Sequence, residues 1–68
     1  MPISSSILKK LRKNAKRTQE DMAEMLGITV TQYQYYEYGK SDISVARLEK
    51  LADYFGVSTD YILGRLSI

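Results

Sequence analysis

The chain has 68 residues, enough for one small domain whose folding buries roughly 60% of the surface of the unfolded chain. It contains no cysteine and no histidine, which excludes a disulfide framework, a zinc finger, a Cys–His nucleophile pair and most transition-metal sites. Six of its ten basic residues precede the first acidic residue, Glu20, and this cationic segment suits either a polyanion or a plain solvated helix face.

The first two predicted helices lie at about residues 5–14 and 18–26. The first follows a cluster of serines that can cap it, and the second begins with Thr18 as N-cap and Asp21 in a capping-box-like position. Gly27 ends the second helix. Apolar residues recur at helical spacing in both segments, namely Ile7, Leu8, Leu11, Met22, Ala23, Met25 and Leu26.

Residues 29–38 are rich in β-branched and aromatic side chains, and their composition alone favours a strand. A strand would leave neither face apolar, because its alternate positions mix tyrosine with glutamine and glutamate. A helix capped by Thr29 brings Tyr33 and Tyr36 together at i, i+3 and ends at Gly39. The period therefore predicts helix 3 over residues 29–38.

Two further helices are predicted at residues 44–55 and 58–63, capped by Ser44 and Ser58. Their apolar stripes consist of Val45, Leu48, Leu51, Ala52 and Phe55, and then Tyr61, Ile62 and Leu63. The connections are short, roughly two to six residues each. The pattern therefore predicts one compact all-α domain of five helices over residues 1–68.

Helices 2 and 3 fit a helix-turn-helix, in which two helices cross steeply and the second projects outward. Ala23 lies where the helices cross and a small side chain permits close approach, while Gly27 supplies the positive φ of the turn. Ile28, Tyr33 and Tyr36 supply apolar contacts between the two helices. The joint spacing of these residues is much more specific than any one of them alone.

The chain resembles the phage-repressor/Cro type (XRE family) of helix-turn-helix protein over residues 8–63, nearly its whole length. The resemblance rests on Leu8-x-x-Leu11-Arg12, Thr18-Gln19-x-x-Met22-Ala23, Gly27-Ile28-Thr29, Tyr36-Glu37-x-Gly39 and Leu48-x-x-Leu51-Ala52-x-x-Phe55-Gly56-Val57-Ser58. It implies a lambda-repressor-like domain that binds double-stranded operator DNA, usually as a dimer. Where family members often have glycine at the end of helix 1, this chain has Lys16, which is expected to adopt a left-handed conformation.

The outward face of helix 3 is expected to read bases in the major groove. Gln34 suits a bidentate contact with adenine, and the methyl groups of Val30 and Thr31 suit thymine. Tyr35 can hydrogen-bond a base or a phosphate, or simply shield apolar surface. Any one of these side chains could also be ordinary exposed helix surface.

The resemblance also implies contacts to the DNA backbone. Gln19 matches the family position that touches phosphate from the start of helix 2, although an exposed first-turn glutamine is the simpler alternative. The other expected backbone contacts lie at helix starts and around the loop after helix 3, namely Thr18, Thr29, Tyr38, Lys40, Ser41, Ser44 and Arg47. These contacts position the protein and do not specify sequence.

A structural ion pair between Arg12 and Glu37 is implied by the resemblance, and we expect it to be partly buried. Without the resemblance, a weak surface pair would be favoured. Four apolar residues near the carboxyl end, Tyr61, Leu63, Leu66 and Ile68, either form a dimer interface or complete the core.

The sequence therefore predicts a transcriptional regulator, most simply a repressor that binds a palindromic operator as a homodimer. An antitoxin that also binds a toxin protein, and a purely protein-binding helical module, are the alternatives. An enzyme is not expected, since Glu20, Asp21 and Glu24 suit the first turns of a helix and no glycine-rich phosphate loop occurs. No cofactor, metal or small-molecule ligand is expected either.

The amino-terminal residues lack the features of a secretory signal, and no run of about 18 apolar residues occurs in the chain. We therefore expect a soluble cytoplasmic protein without a membrane partner.

Overall fold

The structure is a computed structural model that describes residues 3–65. Its helices are α1 (Ser5–Asn14), α2 (Gln19–Leu26), α3 (Val30–Tyr38), α4 (Val45–Phe55) and α5 (Thr59–Ile62). No strand occurs within residues 3–65, and the five helices confirm the predicted all-α fold class. In this part of the chain, every helix is too short or too polar to cross a membrane.

Each helix begins after a hydroxyl side chain that accepts a hydrogen bond from a backbone N–H of the first turn. These N-caps are Ser4, Thr18, Thr29, Ser44 and Ser58. At α2 the cap is reciprocal, because the Asp21 carboxylate also accepts the Thr18 N–H at 2.9 Å. The predicted ranges of helices 2 to 5 included the capping residue, so each observed helix begins one residue later.

Two left-handed residues set the corners on either side of α2. Lys16 lies two residues after α1 and has φ 58°, a conformation that costs a residue with a side chain about 1–2 kcal/mol. The corner is closed by reciprocal bonds, with Arg17 N–H donating to the Arg12 carbonyl and Arg12 Nη1 donating to the Arg17 carbonyl. Gly27 makes the turn to α3 at φ 70°. A Cβ there would meet no atom within 4 Å, so glycine is favoured by conformation and not by space.

The core is one cluster to which all five helices and the loop before α4 contribute. It consists of Leu8, Met22, Ala23, Leu26, Tyr33, Tyr36, Ile43, Leu48, Leu51, Ala52 and Ile62. α3 packs on both α1 and α2, while α4 packs on α2 and α5. The Ser4 N–H donates to the Ile62 carbonyl at 2.9 Å, which ties the start of α1 to α5. α3 therefore packs on two helices, and α5 is tied to the start of α1 as well as to α4.

One predicted core position is wrong. Helical spacing places Val45 in the buried stripe of helix 4, but its side chain is 57% exposed. Val45 is the first residue of α4, and helical side chains lean toward the amino-terminal end. It therefore extends past the turns that bury Leu48 and Leu51.

Candidate nucleic-acid interface

The inward face of α3 is fixed in the domain. Tyr33, Tyr36 and Glu37 are 0%, 1% and 7% exposed, respectively. A glutamate is rarely buried to this extent unless its charge is paired. The surroundings of Glu37 therefore decide how firmly α3 is held.

The Glu37 carboxylate accepts four hydrogen bonds. Arg12 donates from Nε to Oε2 at 2.6 Å and from Nη2 to Oε1 at 3.2 Å. Gln19 Nε2 donates to Oε1 at 3.2 Å, and the Tyr33 hydroxyl donates to Oε2 at 2.5 Å. The Arg12 and Glu37 side chains are only 11% and 1% exposed. The structure thus contains a bidentate ion pair that joins α1 to α3, and the carboxylate has no unused lone pair.

These bonds determine the charge states of the cluster. Burial would raise the pKa of Glu37, but the hydrogen bonds from Arg12, Tyr33 and Gln19 outweigh it and hold that pKa below its usual range. The hydrogen bond to Glu37 raises the pKa of Arg12. Burial, followed by the bond to Glu37, raises the pKa of the Tyr33 hydroxyl. At neutral pH the cluster therefore holds a carboxylate, a guanidinium and a neutral tyrosine.

The four predicted base-reading residues lie on one surface of α3, because they are related by i, i+3 and i+4 spacing. Thr31 and Tyr35 are exposed, and Tyr35 is 41% exposed. Gln34 and Val30 are half-buried. Val30 packs partly against the core. The core therefore covers part of a side chain that was expected to contact bases.

Gln19 connects the Glu37 cluster to this surface. Its Nε2 donates to Glu37, and its Oε1 accepts a hydrogen bond from Gln34 Nε2 at 3.0 Å. Each glutamine amide carries two N–H groups. Gln34 therefore keeps one N–H and its Oε1, the pair that a contact with adenine requires, and Gln19 keeps one N–H.

Three of the predicted backbone contacts, Thr18, Thr29 and Ser44, are N-caps. Their oxygens accept backbone N–H groups, and each hydroxyl keeps its own proton to donate. Tyr38 and Lys40 lie exposed at the end of α3. All five side chains are thus accessible to a phosphate group.

Ser41 and Arg47 differ from these residues because both are bonded to α3. Ser41 Oγ accepts from Gln32 Nε2 at 3.2 Å and donates to the Asp42 carbonyl at 3.2 Å, so its one proton is already engaged. Arg47 Nη1 donates to the Tyr36 hydroxyl at 2.9 Å. Sequence reasoning missed the parts played by Gln32 and Tyr36. The sequence gives no signal for these two contacts beyond the polar side-chain atoms of the residues themselves.

The carboxyl-terminal apolar residues divide into two groups. Tyr61 and Leu63 are half-buried, and Leu63 packs against the core. Leu66 and Ile68 lie outside the described residues. Leu63 thus contributes to the core, whatever else it contacts.

Comparison with known proteins places this geometry in a family. A family model described as helix-turn-helix matches residues 8–62. The chain is 45% identical over 56 residues to the SPbeta prophage-derived uncharacterized HTH-type transcriptional regulator YonR of Bacillus subtilis. The aligned residues cover 82% of this chain and 52% of YonR. It is 39% identical over 54 residues to the cryptic phage CTXphi transcriptional repressor RstR of Vibrio cholerae. This alignment covers 79% of this chain and 48% of RstR.

The chain spans about half the length of the curated relatives it matches. Among solved structures, a transcriptional regulator from Listeria innocua matches with a TM-score of 0.88 at 25% identity, over 100% of this chain and 64% of that one. The matched segment contains the crossing of α2 and α3, the Glu37 cluster and α4. The chain therefore belongs to the phage-repressor/Cro-type (XRE) family of helix-turn-helix proteins.

Proposed function

We propose that this protein is a transcriptional regulator that binds double-stranded DNA by sequence. The observation that carries the proposal is the amide of Gln34, which lies on the outward face of α3 and is held by Gln19 at 3.0 Å. One N–H and the amide oxygen are left, and they match the N7 acceptor and the N6 donor of adenine in the major groove. The Gln34 amide is thus oriented before DNA arrives.

The rest of the surface supports the same docking. Thr31 and Tyr35 flank Gln34 and reach neighbouring bases. The start of α2 presents free backbone N–H groups and the positive helix end, and the remaining N–H of Gln19 lies beside them, so this end of α2 suits a phosphate. On the other side of α3, Tyr38, Lys40 and the start of α4 contact the DNA backbone at the far edge of the half-site.

We further propose a repressor that binds a palindromic operator as a homodimer in the cytoplasm. RstR is named a repressor, and two identical recognition helices about one helical turn apart would read an inverted repeat. Tyr61, Leu63, Leu66 and Ile68 are the proposed interface. Light scattering at micromolar concentration tests it: we expect a dimer that Leu66→Lys converts to a monomer, and a monomeric wild type would contradict the interface.

Selection of bound duplexes from a random library, at one stated moderate salt concentration, tests the proposed function. We expect an inverted repeat with an adenine in each half-site. Selection with Gln34→Ala should recover the same repeat without a preference at that adenine. No enrichment over the starting library would contradict DNA reading by this protein.

A further inference from the structure

We infer that Tyr36 is a positioning residue for DNA binding, because its buried hydroxyl holds the Arg47 guanidinium where it can reach a phosphate. The inference rests on the proposed DNA-binding function. It adds to that function a residue that lies in the core, away from the base-reading face.

The contact joins the last turn of α3 to the first turn of α4. Arg47 Nη1 donates to the Tyr36 hydroxyl at 2.9 Å, and the Arg47 backbone N–H donates to the Ser44 cap at 3.2 Å. Tyr36 is 1% exposed, so core packing fixes its ring. The Ser5 hydroxyl also donates to the Tyr36 carbonyl at 3.1 Å. The Arg47 backbone and the guanidinium at the tip of its side chain are therefore both anchored to fixed points.

Within the described residues, the charge of Arg47 has no counterion. Within residues 3–65 no carboxylate lies within ion-pair distance of Arg47, since the observed ion pair there is that of Arg12 and Glu37. A guanidinium has five N–H donors, and the bond to Tyr36 uses one of them. A positioned cation with unused donors at a helix start suits a phosphate oxygen.

The hydroxyl is the informative part of Tyr36. A phenylalanine would fill the same core space, whereas a buried tyrosine hydroxyl needs a partner. Here the partner is a cation on the neighbouring helix, which would otherwise sample many rotamers. Holding it before DNA binds removes an ordering cost from the binding step.

A double-mutant cycle in DNA binding separates positioning from a merely structural role. Dissociation constants are measured for wild type, Tyr36→Phe, Arg47→Ala and the double variant, with the selected duplex and with an unrelated one. We expect Tyr36→Phe to weaken binding about two- to tenfold on both duplexes, the ordering cost of one long side chain. In the Arg47→Ala background the same change should have no further effect.

Salt dependence supplies a second readout. Arg47→Ala should reduce the slope of log affinity against log salt by about 0.9, the contribution of one phosphate contact. Tyr36→Phe should leave the slope close to that of wild type, because Arg47 still reaches the phosphate. Tyr54→Phe is the matched control, since it removes the hydroxyl of a 41% exposed tyrosine on α4, and it should bind as wild type does.

Two results would overturn the inference: Tyr36→Phe binding like wild type, or weakening binding equally in both backgrounds. Failure of wild type to bind either duplex would instead remove the proposed function, and the inference with it. Thermal unfolding checks that each variant is folded. If Tyr36→Phe does not fold, NMR relaxation of the Arg Nε groups in the wild type tests the inference. We expect Arg47 Nε to be more ordered than Nε of the exposed Arg65. Equal disorder of the two would overturn the inference.

Discussion

Two pairs of tyrosines on α3 have opposite surroundings. Tyr33 and Tyr36 are 0% and 1% exposed, and their hydroxyls bond to the charged side chains of Glu37 and Arg47. Tyr35 and Tyr38 are 41% and 57% exposed. The helical period, and not the tyrosine content, separates them. The inner pair fixes the helix in the domain, and this fixation gives a defined orientation to the outer surface, which we propose contacts DNA.

The largest expected effect is a loss of stability when the ion pair that holds the inner face of α3 is broken. Arg12→Ala and Glu37→Ala should each lower the free energy of unfolding by about 3–5 kcal/mol, because each leaves a buried charge without its partner. The double variant should lose less than the sum of the two. Urea unfolding measures all three, with the exposed Lys13→Ala as control, expected within about 0.5 kcal/mol of wild type. Small additive losses would show that the pair does not hold α3.

The next effect compares the two classes of tyrosine directly. Tyr33→Phe removes a hydrogen bond to a carboxylate and should lower the free energy of unfolding by about 1.5–3 kcal/mol. Tyr35→Phe removes an exposed hydroxyl from the same helix and should change it by less than about 0.5 kcal/mol. Equal effects, measured by thermal or urea unfolding, would break the distinction between the inner and outer faces.

The smallest expected effect on stability appears in acid. The folded-state pKa of Glu37 lies below its ordinary value of 4.5, so its contribution is complete above about pH 4.5 and is lost as pH falls through the lowered pKa. Tyr33→Phe removes one of the donors that lower this pKa. The variant should therefore lose less of its stability than wild type as the pH falls below 4.5.

Unfolding free energies between pH 7 and pH 3 measure this difference. Asp21 also has a lowered pKa, through its backbone and side-chain hydrogen bonds with Thr18. The Asp21→Asn background removes that contribution from both proteins, and the difference due to Tyr33 should persist there. Parallel curves below pH 4.5 would contradict a bond from Tyr33 that stabilises the Glu37 carboxylate.

Much of the fold could be predicted because local signals agree with one another. Four hydroxyl residues each precede a segment with helical apolar spacing, and each is an N-cap in the structure: Thr18, Thr29, Ser44 and Ser58. The division of α3 into faces followed from its period in the same way. Val45 shows the limit, because spacing identifies a stripe but not where along the helix the neighbouring elements stop covering it.

The resemblance implied the Arg12–Glu37 pair, but two other polar contacts of the site could not be predicted from the sequence. The Gln19–Gln34 bond joins residues 15 positions apart, and the Tyr36–Arg47 bond joins residues 11 positions apart. Both depend on how helices cross and on which rotamer each side chain adopts. The half-burial of Val30 has the same origin, since the same crossing decides which side of that residue meets the core.

The central claim is that the outward face of α3 reads sequence while the inward face holds the helix. The test compares two duplexes, the selected one and one in which the contacted adenine is replaced. Their affinities are measured for wild type, Gln34→Ala and Gln32→Ala. We predict that Gln34→Ala loses about 1–3 kcal/mol of preference for that adenine, whereas Gln32→Ala, the same change on the side bonded to Ser41, keeps it. Full preference in Gln34→Ala, or equal loss in both variants, would contradict the claim.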